Sequence, residues 1–285
     1  MAVTFDIATA NADDIARLRG WADDEGWNPG RSDTHAFFAA DPYGFLVGRL
    51  NGEAVASLSA VRYGADFGFI GFYITRPRAR GQGYGIRIWR AGMARLAGRT
   101  VGLDGVVDQQ ENYRRSGFRR AWNNIRYEGV PSGCGSSAAS DGIALVDART
   151  VPFDRLAAYD RRFFPARRDA FLASWISLPD RTGLVAVRDG ELHGFAAVRP
   201  CAGAARIGPL YAASPRVAAA LVDGLASALP GQPVAIDIPD RNKPSLELAE
   251  RLGLKPTFEA ARMYTGPVPE MDLPGLYGIT SLELG

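Results

Sequence analysis

The sequence predicts an α/β (α+β) protein built as two similar units in tandem. Three observations carry this expectation: apolar runs of strand character alternate with amphipathic stretches along the chain, a glycine-rich turn joins one such strand to one such helix, and the second half repeats landmarks of the first. With 285 residues, 47% of them hydrophobic and 22% charged, the chain can bury two ordinary cores of roughly 100–150 residues each.

Taken in order, residues 3–9 read as a strand. Residues 11–22 read as a helix with Asn11 as its N-cap, because a short amide side chain can accept from the first free N–H groups. The loop Asp23-Asp-Glu-Gly-Trp-Asn-Pro-Gly30 leads to a short helix at 31–40. Residues 45–50 and 54–63 form a hairpin about Asn51-Gly52, a pair suited to positive φ in a tight turn. Residues 67–75 make a central strand that breaks at Pro77, and 84–97 the helix beyond it. A strand at 100–107, a helix at 109–116 and a closing strand or two at 118–127 complete the unit. Residues 131–142 are small and polar, the composition of a linker. The second unit runs from Ile143 to about Gly266, and residues 267–285 form a tail too apolar to be free, which is expected to dock.

The repeat fixes the tandem reading. Asn51-Gly-Glu53 recurs as Asp189-Gly-Glu191, and Tyr73-x-x-x-Pro77-Arg78 as Tyr211-x-x-x-Pro215-Arg216, both 138 residues on. Val101-Gly-Leu-Asp104 corresponds to Val234-Ala-Ile-Asp237, Ser116-Gly-Phe118 to Leu252-Gly-Leu254, and Arg126 to Arg262. The halves differ at two places that bear on chemistry: the turn after Tyr73, and Tyr113, whose counterpart four residues before Gly253 is Ala249. After Tyr73 the first half turns through Arg78, Arg80, Gly81, Gln82, Gly83, Tyr84 and Gly85, where glycines let backbone N–H groups converge on an anion at the start of a helix. After Pro215-Arg216 the second half has Val-Ala-Ala-Ala-Leu-Val, good helix formers with no such turn. A nucleotide P-loop needs Gly-Lys-Ser/Thr and a dinucleotide fingerprint needs GxGxxG; the spacing here is GxGxG, so the cradle suits another pyrophosphate.

Arg78-x-x-Gly81-x-Gly83 between strand and helix resembles the acetyl-CoA signature of the GNAT superfamily of N-acetyltransferases. Tyr113-Arg-Arg-Ser-Gly117-Phe118 resembles that family's Y-x-x-x-G-F element. The two-part plan and the closing Gly278-Ile-Thr-Ser-Leu-Glu-Leu-Gly285 are similar to a bacterial two-domain branch often called YitH-like. The resemblance implies tandem GNAT-like domains, each a central mixed, mostly antiparallel sheet flanked by helices. A catalytic acetyl-CoA-binding domain would span 1–130, a linker 131–142, a degenerate GNAT-like domain 143–266 and a docking tail 267–285. It implies acetyl-CoA as cosubstrate and direct transfer to the amine of a small molecule in a pocket walled by the second domain. A larger acyl-CoA, a protein amine, or a non-catalytic CoA sensor are the alternatives. A piece ending near Val130 is expected to keep CoA binding and lose turnover.

By the same resemblance, backbone groups of Phe72, Tyr73 and Ile74 bind the pantetheine arm and thioester oxygen, residues 78–85 cradle the pyrophosphate, and Glu25, Trp27 and Asn28 overhang the acceptor pocket. Tyr113 is the candidate acid, since a phenol with an ordinary pKa of about 10 is protonated at neutral pH and can protonate a thiolate; packing over CoA is the other reading. Trp27 is available for stacking on a substrate or for plugging the core. No carboxylate sits on the strand Phe67-Gly-Phe-Ile-Gly-Phe72, which leaves a water relay or an acid from Asp23-Asp-Glu25 as the base. Asp104, repeated as Asp237, reads as a site or a structural residue. Arg87, Arg90, Arg95 and Arg99 read as a solvated helix face, and Arg114 and Arg115 as reaching for the CoA 3′-phosphate or for solvent.

Composition bounds the partners. A formal charge of +2, without a basic block interleaved with aromatics, gives no reason to expect nucleic acid. His35 and His193 stand singly, so no metal site is expected, and Cys134 and Cys201 do not make a disulfide framework. The start Met1-Ala-Val-Thr-Phe-Asp lacks a basic, then apolar, leader, and no apolar run is long enough for a bilayer, so a cytoplasmic, membrane-free protein is expected, with a homodimer left open.

Overall fold

The computed structural model describes residues 4–132 and 142–285; Val3, Cys134 and most of the expected linker lie outside them. The first half forms β1 (Phe5–Thr9), α1 (Ala12–Asp24), α2 (Asp33–Ala40), β2 (Phe45–Leu50), β3 (Glu53–Tyr63), β4 (Phe67–Thr75), α3 (Tyr84–Arg95), β5 (Thr100–Val106), α4 (Gln110–Arg115) and β6 (Arg119–Gly129). The second half repeats this order as β7 (Ala144–Asp147), α5 (Phe153–Asp160), α6 (Asp169–Ser177), β8 (Thr182–Arg188), β9 (Glu191–Arg199), β10 (Ala205–Ala212), α7 (Pro215–Ser227), β11 (Val234–Pro239), α8 (Lys243–Arg251) and β12 (Lys255–Tyr264), then adds β13 (Leu276–Gly278).

Local chemistry accounts for the early elements. The Asn11 side chain accepts from the Asp14 N–H at 2.9 Å while the Asp14 carboxylate accepts from the Asn11 N–H at 3.1 Å, a reciprocal capping box that starts α1. Asn51 (φ 51°) and Gly52 (φ 85°) both take the left-handed conformation that closes the β2–β3 hairpin.

The two expected sheets run into one. Among the described residues thirteen strands are joined, in the order β1-β2-β3-β4-β5-β12-β6-β11-β10-β9-β8-β7, with β13 against β10. Pairing is antiparallel except where β4 meets β5 and β10 meets β11. The halves have exchanged their last strands: β12 lies beside β5, and β6 lies beside β11. The repeated ion-pair residues follow the exchange. Arg262 on β12 grips Asp104 on β5 through two hydrogen bonds of 2.8 Å, and Arg126 on β6 donates to Asp237 on β11 at 2.8 Å. Both pairs are buried. Removing one partner leaves the other charge buried and uncompensated, so Asp104→Ala is expected to lose about 3–5 kcal/mol of stability. Equilibrium denaturation measures this, and a loss below about 1 kcal/mol would show that the exchanged strands do not depend on the pair.

One face of the sheet carries α1, α2, α5 and α6 over a core common to both halves, where Phe37 of α2 stacks against Phe171 and Trp175 of α6 at 6.5 and 6.1 Å. Two separate cores cover the other face, one under α3 and one under α7 and α8. A buried polar seam ties the halves on the shared side: Asp33 accepts from Arg199 at 2.9 Å and from Arg181. Burial works to raise the Asp33 carboxyl, but Arg199 and Arg181 outweigh it and hold the pKa below its ordinary value.

Segment 267–285 docks, as its apolar content requires. β13 pairs with Leu210 and Tyr211 of β10, and the Ile279 N–H reaches the Asp237 carbonyl of β11 at 3.0 Å. It therefore occupies the wedge where β10 and β11 diverge.

Candidate active site

In the first half the corresponding wedge stays open. β4 runs parallel to β5 only through Phe67–Ile70, after which its register against β3 shifts and Phe72 takes a left-handed φ of 46°. The Ser57 hydroxyl fixes this kink by donating to the Phe72 carbonyl at 2.7 Å. The rest of β4, through Thr75, has no β5 partner. Pro77 ends the strand, and the turn passes through Gly81 (φ 75°) and Gly83 (φ 83°), conformations that strain any residue with a β-carbon. The backbone N–H groups of Gly81, Gln82, Gly83, Tyr84 and Gly85 make no hydrogen bond of ordinary geometry to another described residue, and Gly83 caps α3 without a side chain. This is an unsatisfied, positively polarised bed of donors, which fits a pyrophosphate.

The wedge and the turn open into a cavity of about 510 Å³. Phe72, Tyr73 and Ile74 line it from β4, Arg80, Gly81, Gly83 and Gly85 from the turn, Tyr113 from α4, and Glu25 and Trp27 from the loop after α1. Tyr113 is held by Trp89, with ring centres 5.4 Å apart, and by Phe118, and it uses the space left by Gly105, where a β-carbon would come within 2.8 Å of its ring. Burial pushes the phenol pKa up, and neighbouring Tyr73 adds to the shift.

Four predicted residues are not part of this cavity. Arg78 pairs with Glu53 on an adjacent open depression, the Gln82 amide donates to the Arg78 carbonyl at 2.9 Å, and Tyr84 stacks on Phe5 at 4.7 Å. Asn28, with φ 54°, exchanges hydrogen bonds with the backbone of Ala202 and so clips the loop to the second half. Arg80 arches over the cavity instead, donating to the Thr75 carbonyl at 2.8 Å and pairing with Glu25. Of the acidic run, Asp23 pairs with Arg19 and Asp24 with Arg76, which leaves Glu25 alone at the cavity. Trp27 is half-buried, and its carbonyl accepts from Arg126 and Arg206, each at 3.3 Å, so the indole both packs on the core and forms a wall. Arg114 and Arg115 are exposed and pair with Glu111 within α4. Arg95 departs from a solvated role by binding Asp41 at 2.9 and 2.8 Å.

The second half contributes walls that sequence reasoning assigned to it only in outline: Phe258 and Ala260 of β12, and Leu282 and Glu283 beyond β13. A single glutamate between two leucines, in Leu282-Glu283-Leu284, was the available signal for the last of these. Asp104 also lines the cavity, but its oxygens are taken by Arg262 and by the Asn124 amide at 2.7 Å. Among the described residues no group of three or more histidine, cysteine or acidic side chains is arranged to hold a metal, and no helix is long and apolar enough to cross a membrane. In the counterpart of the turn, Ser214 caps α7 by accepting from the Val217 N–H at 3.3 Å, and the helix starts directly at Pro215.

Comparison with known proteins agrees with this geometry. Residues 12–118 match the model of the Acetyltransferase (GNAT) family, and residues 156–278 match that of an Acetyltransferase (GNAT) domain. Holothin acyltransferase of Pseudoalteromonas sp. (strain SANK 73390) is 32% identical over 283 residues, which is 99% of this chain and 95% of that protein. A crystal structure from Pyrococcus horikoshii, named as that of a putative acetyltransferase, superposes with a TM-score of 0.81 at 23% identity, covering 99% of this chain and 96% of that one. A tandem GNAT protein from the clavulanic acid biosynthesis pathway gives 0.66 at 17% identity, covering 94% and 100%. At these identities the two structures speak for the fold alone.

Proposed function

The chain belongs to the GNAT family of acetyltransferases, in a two-domain form, and is an acyltransferase; from that premise we propose that it moves an acetyl group from acetyl-CoA directly to the amine of a small molecule held in the first-half cavity. The observation that carries the proposal is the row of N–H groups from Gly81 to Gly85, without hydrogen bonds of ordinary geometry, at the end of a strand splayed from β5. The donors suit the pyrophosphate, the free edge of β4 from Phe72 to Ile74 suits the pantetheine arm, and bound acetyl-CoA would supply the activated acyl group as a thioester. About 510 Å³ is the volume of a small-molecule site. Walls from both halves enclose it, which favours a small amine over a protein side chain.

Tyr113 is the proposed acid. Burial keeps its phenol protonated through the neutral range, which secures the proton but makes it harder to give up. A thiolate leaving within the same low-dielectric cavity is destabilised by the same desolvation, so the transfer stays matched. Glu25, Trp27 and Arg80 would close over the acceptor. The second half, with its wedge filled by β13 and its helix beginning at Pro215, is proposed to shape specificity without binding a second acyl-CoA.

The test is free-thiol release from acetyl-CoA with a panel of primary amines, amino acids, polyamines, aminoglycosides and holothin, the compound for which the full-length relative is named. Tyr113→Phe keeps the ring and loses the proton, so turnover is expected to fall about 10²-fold or more with acetyl-CoA affinity nearly intact. A variant as fast as the parent would return Tyr113 to a packing role. Propionyl-CoA and longer thioesters in the same assay define the acyl range.

A further inference from the structure

We propose that Glu283, which the segment filling the second-half wedge brings to the wall of the first-half cavity, takes the proton from the acceptor amine. The assignment rests on the acyl-transfer reading above. Four carboxylates line the cavity, and three are accounted for. Glu25 is paired with Arg80, Asp104 is saturated by Arg262 and Asn124, and Asp108 stands exposed to solvent.

Glu283 differs. Its side chain is 1% exposed, and neither carboxylate oxygen accepts a hydrogen bond. The Arg206 guanidinium comes no closer than 3.7 Å, beyond hydrogen-bond distance. A buried acceptor left without a donor costs about 1–3 kcal/mol, and more when charged, so one that persists in a fold calls for a ligand or an ion. An ammonium group brings three donors. The position also suits the chemistry: a β-carbon at Gly71 would overlap the Glu283 carbonyl oxygen, so this residue packs directly on β4 one position before the Phe72–Ile74 edge.

The groups facing Glu283 are Arg206 on β10, Arg199 on β9, Asp33 on α2 and the buried Cys201 thiol after β9, whose pKa burial pushes up, with Asp237 and Arg126 behind Arg206. Burial pushes the Glu283 carboxyl up, Arg206 opposes this, Asp33 reinforces it and Arg199 opposes it, leaving it above the ordinary value. A carboxylate raised in this way is a stronger base at neutral pH than a solvated one. In the step, one ammonium proton passes to the Glu283 carboxylate and the freed nitrogen lone pair bonds to the thioester carbon. The C–S electron pair then leaves on sulfur, which takes the Tyr113 proton, and a second N–H proton passes from the new amide nitrogen to the resulting phenolate.

Full-length Glu283→Gln and Glu283→Asp test this against the alternative that Glu283 only offsets the charge of Arg206 and Arg199. For the glutamine variant, acetyl-CoA affinity by calorimetry should stay within about threefold, while amine affinity for the CoA-loaded protein should fall at least about tenfold. Turnover should fall about 10²–10⁴-fold, and the rise of rate with pH as the base ionises should vanish. The aspartate variant should keep that rise at a reduced rate. A folded glutamine variant with parental amine affinity and an unchanged pH profile overturns the assignment while the acyl-transfer reading stands. Should the glutamine variant fail to fold, the aspartate variant decides: an altered turnover and pH limb supports the assignment, and parental values overturn it. A parent protein that binds acetyl-CoA but acylates no member of the panel removes the acyl-transfer reading, and this assignment with it, before any variant is compared.

Discussion

Gly83→Asp is expected to abolish acyl-CoA binding while leaving the fold in place. Gly83 sits at φ 83° as the N-cap of α3, and a β-carbon added there meets no atom within 4 Å, so the new side chain has room and points into the open turn. The backbone strain costs on the order of 1 kcal/mol. An aspartate at an N-cap is otherwise favourable, because its carboxylate accepts from the free N–H groups at the start of the helix. Those are the donors assigned to the pyrophosphate, so the substitution fills the site with a competing anion and adds repulsion. Losing two charge-assisted hydrogen bonds at about 1.5–3 kcal/mol each weakens binding by at least about 10²-fold. Calorimetric titration with CoA reads this directly, with circular dichroism as the control. Unchanged affinity would remove the cradle from the site.

Residues 1–130 on their own are expected not to form a stable monomer, so the strand exchange alters what such a piece does. It would lose β12 from the edge of β5, and with it Ala261 and Met263 from the core that holds Trp89 and Tyr113. Asp104 would lose Arg262, and Arg126 would lose Asp237. Two broken buried pairs at about 3–5 kcal/mol each equal or exceed the whole net stability of many domains, about 5–15 kcal/mol. Size-exclusion chromatography and thermal denaturation should show aggregation or a broad, uncooperative transition. A soluble monomer that binds CoA with parental affinity would show that β6 can close directly onto β5, and that the halves are separable modules.

Much of this fold is legible where local chemistry decides. Asn11 three residues before Asp14 specifies a helix start, Asn51-Gly52 specifies a hairpin, and glycines spaced by two after Pro77 specify a turn for an anion. The exchange of β6 and β12 is not legible, because a strand paired within its own unit and one paired across units present the same alternation of apolar and polar residues. The repeat aligned Asp104 with Asp237 and Arg126 with Arg262, but one sequence does not say that these residues pair, or which arginine meets which aspartate. Asn28 was read as a pocket residue from its loop, yet its side chain is committed to Ala202, a contact 174 positions away that no local pattern encodes. Glu283 escaped notice for the same reason: its neighbours in the chain are apolar, and its chemical setting is supplied by β4, β9, β10 and α2.

The seating of β13 in the β10–β11 wedge also bears on how such a chain can evolve. Duplication of a ligand-binding unit begins with two equivalent clefts, and a cleft that loses its ligand exposes unpaired strand edges that must be closed. Here one stretch of polypeptide fills the cleft of the second half and then continues as a wall of the first-half cavity. The two clefts are thereby coupled: any change that reopened the second would unseat Leu282 and Glu283 from the first. Under the proposed division of roles, restoring a ligand site in the second half would dismantle a wall of the first.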